Sequence, residues 1–130
     1  MESVRRPIYK CPICGNVVEL LISGAGELVC CSKPMMLMLP NNDDSAATEK
    51  HLPVIESGAN NTSIVRVGST AHPMTPEHFI EWIEIINGSY VNRKFLNPTS
   101  EPMAEFYVPN KSGIYIRAYC NKHGLWESKK

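Results

Sequence analysis

The chain has no apolar run long enough to span a bilayer, which removes a transmembrane helix from consideration. It also lacks net charge. Lys plus Arg and Asp plus Glu number 13 each, so no global field gathers nucleic acid, acidic lipid or another polyanion, and any pull on an anion has to be local. Arg5 and Arg6 have no apolar stretch behind them, so neither a secretory nor a twin-arginine signal is read there, and a cytoplasmic, reducing location is expected. Internal repeats and low-complexity tracts are missing. Helical patterning is scarce too, its one trace running from about Asp43 to Lys50 with acidic residues in the first turn.

What is present is a chain of 130 residues, 43% apolar and 20% charged, the composition of a soluble globular protein. The length suits one ordinary domain, or a mini-domain attached to a slightly small one. Five cysteines in a reducing compartment make a poor disulfide framework, and an odd count leaves one over, so metal binding is the better expectation. Their distribution is uneven. Cys11, Cys14, Cys30 and Cys31 fall in the first quarter and Cys120 stands near the carboxyl end, whereas His51, His72, His78 and His123 all lie beyond residue 50. Two sites of different chemistry on two units follow, with the break near Pro40 to Asp44, where Pro-Asn-Asn-Asp-Asp interrupts the apolar pattern.

In the first unit, Asn16 to Leu21 and Glu27 to Cys30 read as short strands around a Ser-Gly-Ala-Gly turn. So small a unit has almost no core and needs a metal, disulfides or a partner chain. In the second, β-rich stretches recur at Leu52 to Glu56, Ser63 to Val67, Phe79 to Ile86, Tyr90 to Leu96, Ala104 to Val108 and Ile114 to Tyr119. Asn87-Gly88 between two of them predicts a hairpin with both residues at the centre of a type I′ turn. Short strands with Gly and Pro punctuation predict a β-sandwich or barrel.

Cys11-Pro12-Ile13-Cys14 is a CxxC turn whose spacing lets both thiolates face one ion, and Cys30-Cys31 completes a four-sulfur set that suits zinc or iron. The adjacency of the second pair sets it apart from a zinc ribbon, because neighbouring residues reach one ion only through distortion. A zinc clip that staples the mini-domain remains the bland alternative. For the histidines the bland alternative is stronger, since a lone His on a strand is more often a surface or hydrogen-bonded residue. Their settings count against it: Glu49-Lys50-His51 leads into a strand, His72-Pro73-Met74-Thr75-Pro76-Glu77-His78 is a proline-stiffened loop, and Cys120-Asn121-Lys122-His123-Gly124 is a tight turn. Cys120 with His123 also admits a cysteine hydrolase, and the whole set a non-catalytic electron carrier.

The CxxC and Cys-Cys pairs resemble desulforedoxin over roughly Ile8 to Met38. The Glu-Lys-His, His-Pro-Met-x-x-x-His and Cys-Asn-x-His-Gly elements resemble the active-site pattern of superoxide reductases, so that from end to end the chain is similar to the two-iron desulfoferrodoxin family. Phe79 and Leu125 depart from what relatives often carry, and neither is a ligand position.

The resemblance implies an all-β protein: a rubredoxin- or desulforedoxin-like metal-bound domain at 1–38, then an immunoglobulin-like β-sandwich at 39–130. It implies two iron ions per chain, one on Cys11, Cys14, Cys30 and Cys31, the other on His51, His72, His78 and His123 with Cys120 as axial thiolate. Reduction of superoxide to hydrogen peroxide is the implied activity, with Lys50 drawing the anion in and Glu49 as a mobile carboxylate able to occupy the sixth iron position. A rubredoxin-like electron donor and a homodimer are implied partners.

Overall fold

The structure is a computed structural model and describes residues 6–45 and 50–130. The chain divides into two units, Met1–Leu39 and Pro40–Lys130. Among the described residues no helix is long and apolar enough to cross a membrane.

The described residues of the first unit form five very short strands: β1 (Ile8–Lys10), β2 (Val17–Glu19), β3 (Val29–Cys30), β4 (Lys33–Pro34) and β5 (Met36–Met38). They form a three-stranded antiparallel sheet in the order β2-β1-β5 and a two-stranded ribbon of β3 and β4. Among its described residues only Ile8 and Cys11 are buried. Leu21, Ile22, Val29 and Leu39 stand in solvent. Backbone pairing over three residues with so little apolar burial falls well short of the cost of ordering the chain.

The described residues of the second unit form seven strands: β6 (Pro53–Ser57), β7 (Ser63–Val67), β8 (Ile80–Asn87), β9 (Tyr90–Phe95), β10 (Met103–Phe106), β11 (Tyr115–Cys120) and β12 (Gly124–Lys129). They make two antiparallel sheets, β10-β7-β6 and β12-β11-β8-β9. Inward residues of both sheets share one core: Val65, Val67, Ile83, Ile85, Ala104, Phe106, Ile116 and Ala118 are all at most 5% exposed. The alternation of apolar and polar residues along β7 and β11 sends one face of each strand to that core. Of the sandwich or barrel expected from the strand pattern, the sandwich is what forms.

The face of the four-stranded sheet turned from the core carries a row of charges. Arg117, Glu84 and Arg93 lie opposite one another on β11, β8 and β9. Arg117 Nε donates to one oxygen of Glu84, and Arg93 Nε donates to the other at 2.9 Å, its guanidinium lying 4.9 Å from the Trp82 ring centre. Glu84 and Arg117 are buried, so their charges rely on each other.

Two expectations change. Asn87 is the last residue of β8 and pairs with Tyr90, so the hairpin is centred on Gly88 and Ser89 rather than on Asn87-Gly88. Gly88 (φ 61) takes the first central position, the one that a Gly-first turn requires to be left-handed. The helix-like piece is not helical where it is described: Asp43 turns its carboxylate onto the Ser45 amide at 2.9 Å, an aspartate turn that competes with a helix start. The rest of that piece, including Glu49, lies outside the described residues. Four strands were missed: β1, β4, β5 and β12.

Candidate metal centres

In the first unit the sulfurs of Cys11, Cys14, Cys30 and Cys31 all lie within 4.8 Å of one another. Cys14 Sγ and Cys30 Sγ are 3.6 Å apart, close to the separation of about 3.8 Å that tetrahedral thiolates would have with metal–sulfur bonds of about 2.3 Å. The knuckle after Cys11 aims its amides inward: Ile13 N–H and Cys14 N–H each donate to Cys11 Sγ at 3.4 Å. The second pair sits in a two-residue hairpin in which Cys31 (φ 54) and Ser32 (φ 61) are both left-handed. That backbone conformation is how adjacent cysteines come to face one point, and it costs about 1–3 kcal/mol per residue, which ligation can offset. The Cys14 amide, foremost, holds the Cys11 thiol down to about 6. The neighbouring sulfurs, Cys14 first and then Cys11, push Cys31 up to about 12. Thiols that resist sharing negative charge in so small a volume are relieved by a cation among them.

In the second unit, five donors come from five places in the sequence. His51 precedes β6, His72 follows β7, His78 precedes β8, Cys120 ends β11 and His123 lies in the turn before β12. Their donor atoms lie within 4.8 Å of one another, against about 4.2 Å between opposed nitrogens at metal–nitrogen bonds of about 2.1 Å. The imidazoles form a closed cycle: centroids are 4.6 Å apart for His51–His72, 4.8 Å for His72–His78, 5.1 Å for His78–His123 and 4.9 Å for His123–His51, every pair edge-to-face. Cys120 Sγ, fully buried, lies 3.5 Å from His72 Nε2 and 3.9 Å from His123 Nδ1. A thiol nucleophile needs one base; four rings closing around one point with a sulfur beside them are a coordination set.

Local contacts set the rings. His72 Nδ1 lies 2.7 Å from the Pro73 carbonyl, which fixes Nδ1 as the protonated nitrogen and turns the Nε2 lone pair to the centre. His51 Nε2 and His123 Nδ1 face each other at 3.1 Å, closer than two lone pairs or two N–H groups tolerate without a proton or cation between them. Thr75 and His78 exchange backbone hydrogen bonds of 3.0 and 3.1 Å, closing the proline-stiffened loop.

Three supporting residues were not found from the sequence. Trp126 stacks on His51 at 4.6 Å with 11° between planes, and its Nε1–H donates to the His123 carbonyl at 3.1 Å. Asn121 ties the turn of Cys120 and His123 to the strand entry beside His78. Its Oδ1 accepts from Phe79 N–H at 3.0 Å and its Nδ2 donates to the Glu77 carbonyl at 3.0 Å. Asp44 accepts from the His51 and Leu52 amides at 2.8 and 3.1 Å. Burial would raise the Asp44 carboxyl, but these amides prevail and hold it below the usual carboxylate range. Of the two charged residues read beside His51, Lys50 donates from Nζ to the Asp44 carbonyl at 3.0 Å, and Glu49 lies outside the described residues.

Comparison with known proteins matches the desulfoferrodoxin family model over residues 43–129 and the desulfoferrodoxin N-terminal domain model over residues 3–38. The chain belongs to the desulfoferrodoxin family. It is 54% identical over 123 residues to the desulfoferrodoxin of Syntrophotalea carbinolica, covering 94% of each chain. With the desulfoferrodoxin homolog of Archaeoglobus fulgidus it shares 52% identity over 121 residues, 93% of this chain and 94% of that one. Among solved structures it resembles the superoxide reductase from Treponema pallidum, with a TM-score of 0.73 at 27% identity over 95% of this chain and 97% of the other. A desulfoferrodoxin therefore carries two donor sets of different softness, sulfur alone in one unit and mainly imidazole in the other.

Proposed function

We propose that this protein is a superoxide reductase, converting superoxide to hydrogen peroxide with one electron and two protons and releasing no dioxygen. The observation that carries the reading is the closed cycle of four imidazoles with the buried sulfur of Cys120 beside it. Five protein donors would leave one position free on a metal that takes six, as a catalytic site requires. The donor set fits iron, which when bound there would supply the electron by cycling between its ferrous and ferric states.

The protein's own residues do the rest. His51, His72, His78 and His123 would hold the ion as nitrogen donors, and Cys120 would add electron density to it. Lys50 places a cation beside His51, which on a chain of zero formal charge provides local attraction for a small anion and, with solvent, a source of protons. Glu49 would be a carboxylate able to bind the ion between turnovers. The four-thiol set fits a second iron that stabilises residues 1–38, with residues 39–130 as the catalytic domain.

A rubredoxin-like one-electron donor would supply the electron that each turnover consumes. The exposed apolar side chains of the first unit support a homodimer, and five cysteines free of disulfides support a reducing, cytoplasmic setting. Pulse-generated superoxide, followed with a dioxygen electrode in the presence of reductant, tests the activity. Rapid consumption without dioxygen release is expected, and release of dioxygen in dismutase stoichiometry would refute it.

A further inference from the structure

Asp44 has been given no part in the reaction, yet it touches both charged and ligating parts of the site's edge. The stretch that carries it is fastened to β12: Asn41 N–H donates to the Leu125 carbonyl at 2.8 Å, and Glu127 N–H donates to the Asn41 carbonyl at 2.9 Å. From that anchor, one carboxylate oxygen of Asp44 accepts two consecutive amides, His51 at 2.8 Å and Leu52 at 3.1 Å. Its main-chain oxygen accepts the Lys50 ammonium at 3.0 Å.

The same three residues are held from the other side by Gly68. Its N–H donates to the Leu52 carbonyl at 3.0 Å, and a Cβ built on it would lie only 2.5 Å from the Lys50 carbonyl oxygen. Gly68 is also left-handed (φ +86), so both space and conformation restrict the position to glycine. Lys50 to Leu52 is thus gripped between a carboxylate and a bare Cα, with hydrogen bonds on both sides. Each side chain is carried by the peptides that flank it, so a grip on these peptides sets the His51 ring and the Lys50 stem together.

We propose that Asp44 is a positioning residue for the reaction, a clasp that sets the anion-attracting Lys50 and the donor His51 through their shared backbone. The proposal rests on the reductase reading given above. Asp44 also brings a negative charge close to a site meant to receive an anion, so if charge were its only influence its removal would speed superoxide capture. A positioning role gives the opposite sign for a variant that cannot accept the amides.

The test compares Asp44→Ala and Asp44→Asn in the iron-loaded full chain. Both remove the charge, but only Asn keeps an oxygen for the His51 and Leu52 amides. Hydrogen exchange at those two amides is expected to quicken on the order of tenfold or more in the Ala variant and to stay near wild type in the Asn variant. The second-order rate with pulse-generated superoxide is expected to fall about tenfold in Asp44→Ala and to be retained or raised in Asp44→Asn. Unchanged exchange in Asp44→Ala, or equal superoxide rates in the two variants, would overturn the clasp. A wild-type protein that consumed no superoxide would refute the reductase reading instead, and the exchange measurement would still decide whether Asp44 holds these peptides.

Discussion

The two units solve the problem of gathering soft donors in opposite ways. In the first, four sulfurs meet in a unit with two buried residues among those described, and two of the cysteines, Cys14 and Cys31, are exposed. In the second, the donors stand at the ends of strands whose other residues fill a common core, and His51, His72 and Cys120 are themselves buried. The first arrangement depends on an ion in place of a core, whereas the second has a core that brings its donors together beforehand. A closed four-sulfur set suits a stabilising role; a set assembled independently of its ion can leave one side open for chemistry.

The strongest way to break this contrast is to take the metal from the first unit. Loss of the ion, by chelation or by Cys31→Ser, is expected to abolish amide protection in β1, β2 and β5, since structural ions contribute about 10–16 kcal/mol to small metal-dependent folds. The sandwich should keep its protection, and a first unit that stayed protected without metal would erase the difference. The converse experiment is Cys120→Ser, expected to remove the ferric thiolate absorption band and most reductase activity while circular dichroism and melting change little. A variant that kept both band and activity would exclude Cys120 as the axial donor.

A third substitution attacks the sandwich and not its site. Arg117→Met leaves Glu84 buried with Arg93 as its remaining guanidinium contact, and denaturant titration should show a loss of about 3–5 kcal/mol. The visible spectrum of the four-histidine centre should survive as long as the fold does. The smallest effect belongs to Lys50→Ala. It should slow superoxide capture several-fold and flatten its dependence on salt, because one cation contributes about 1–2 kcal/mol of attraction at most at a hydrated site. Rates identical to wild type at every ionic strength would remove Lys50 from the mechanism.

How much of this was legible in the sequence follows the same division. Strands β7 and β8 could be read because alternation and apolar runs are local signals, and the four cysteines of the first unit because of their spacing, whereas the four histidines with Cys120 came from the resemblance to superoxide reductases. Strand β12 could not, since Gly124, Glu127, Ser128 and Lys129 leave little apolar pattern and its pairing with β11 decides the matter. Strands of two or three residues, such as β1 and β4, have no period to detect. Asp43 and Asp44 looked like the acidic first turn of a helix, yet their carboxylates serve an aspartate turn and the amides of His51 and Leu52. Trp126 and Asn121 were hidden for a similar reason, because their partners become neighbours only in the folded chain. Asn121 did stand inside the Cys-Asn-x-His-Gly element, which was the one signal available.

The edge-to-face closure of the imidazoles has a consequence for electron exchange. Rings that abut in a cycle, one of them pinned beneath an indole, cannot tilt singly without displacing the next. A change of charge at their midpoint would therefore move the rings little, leaving rearrangement to the open side of the site.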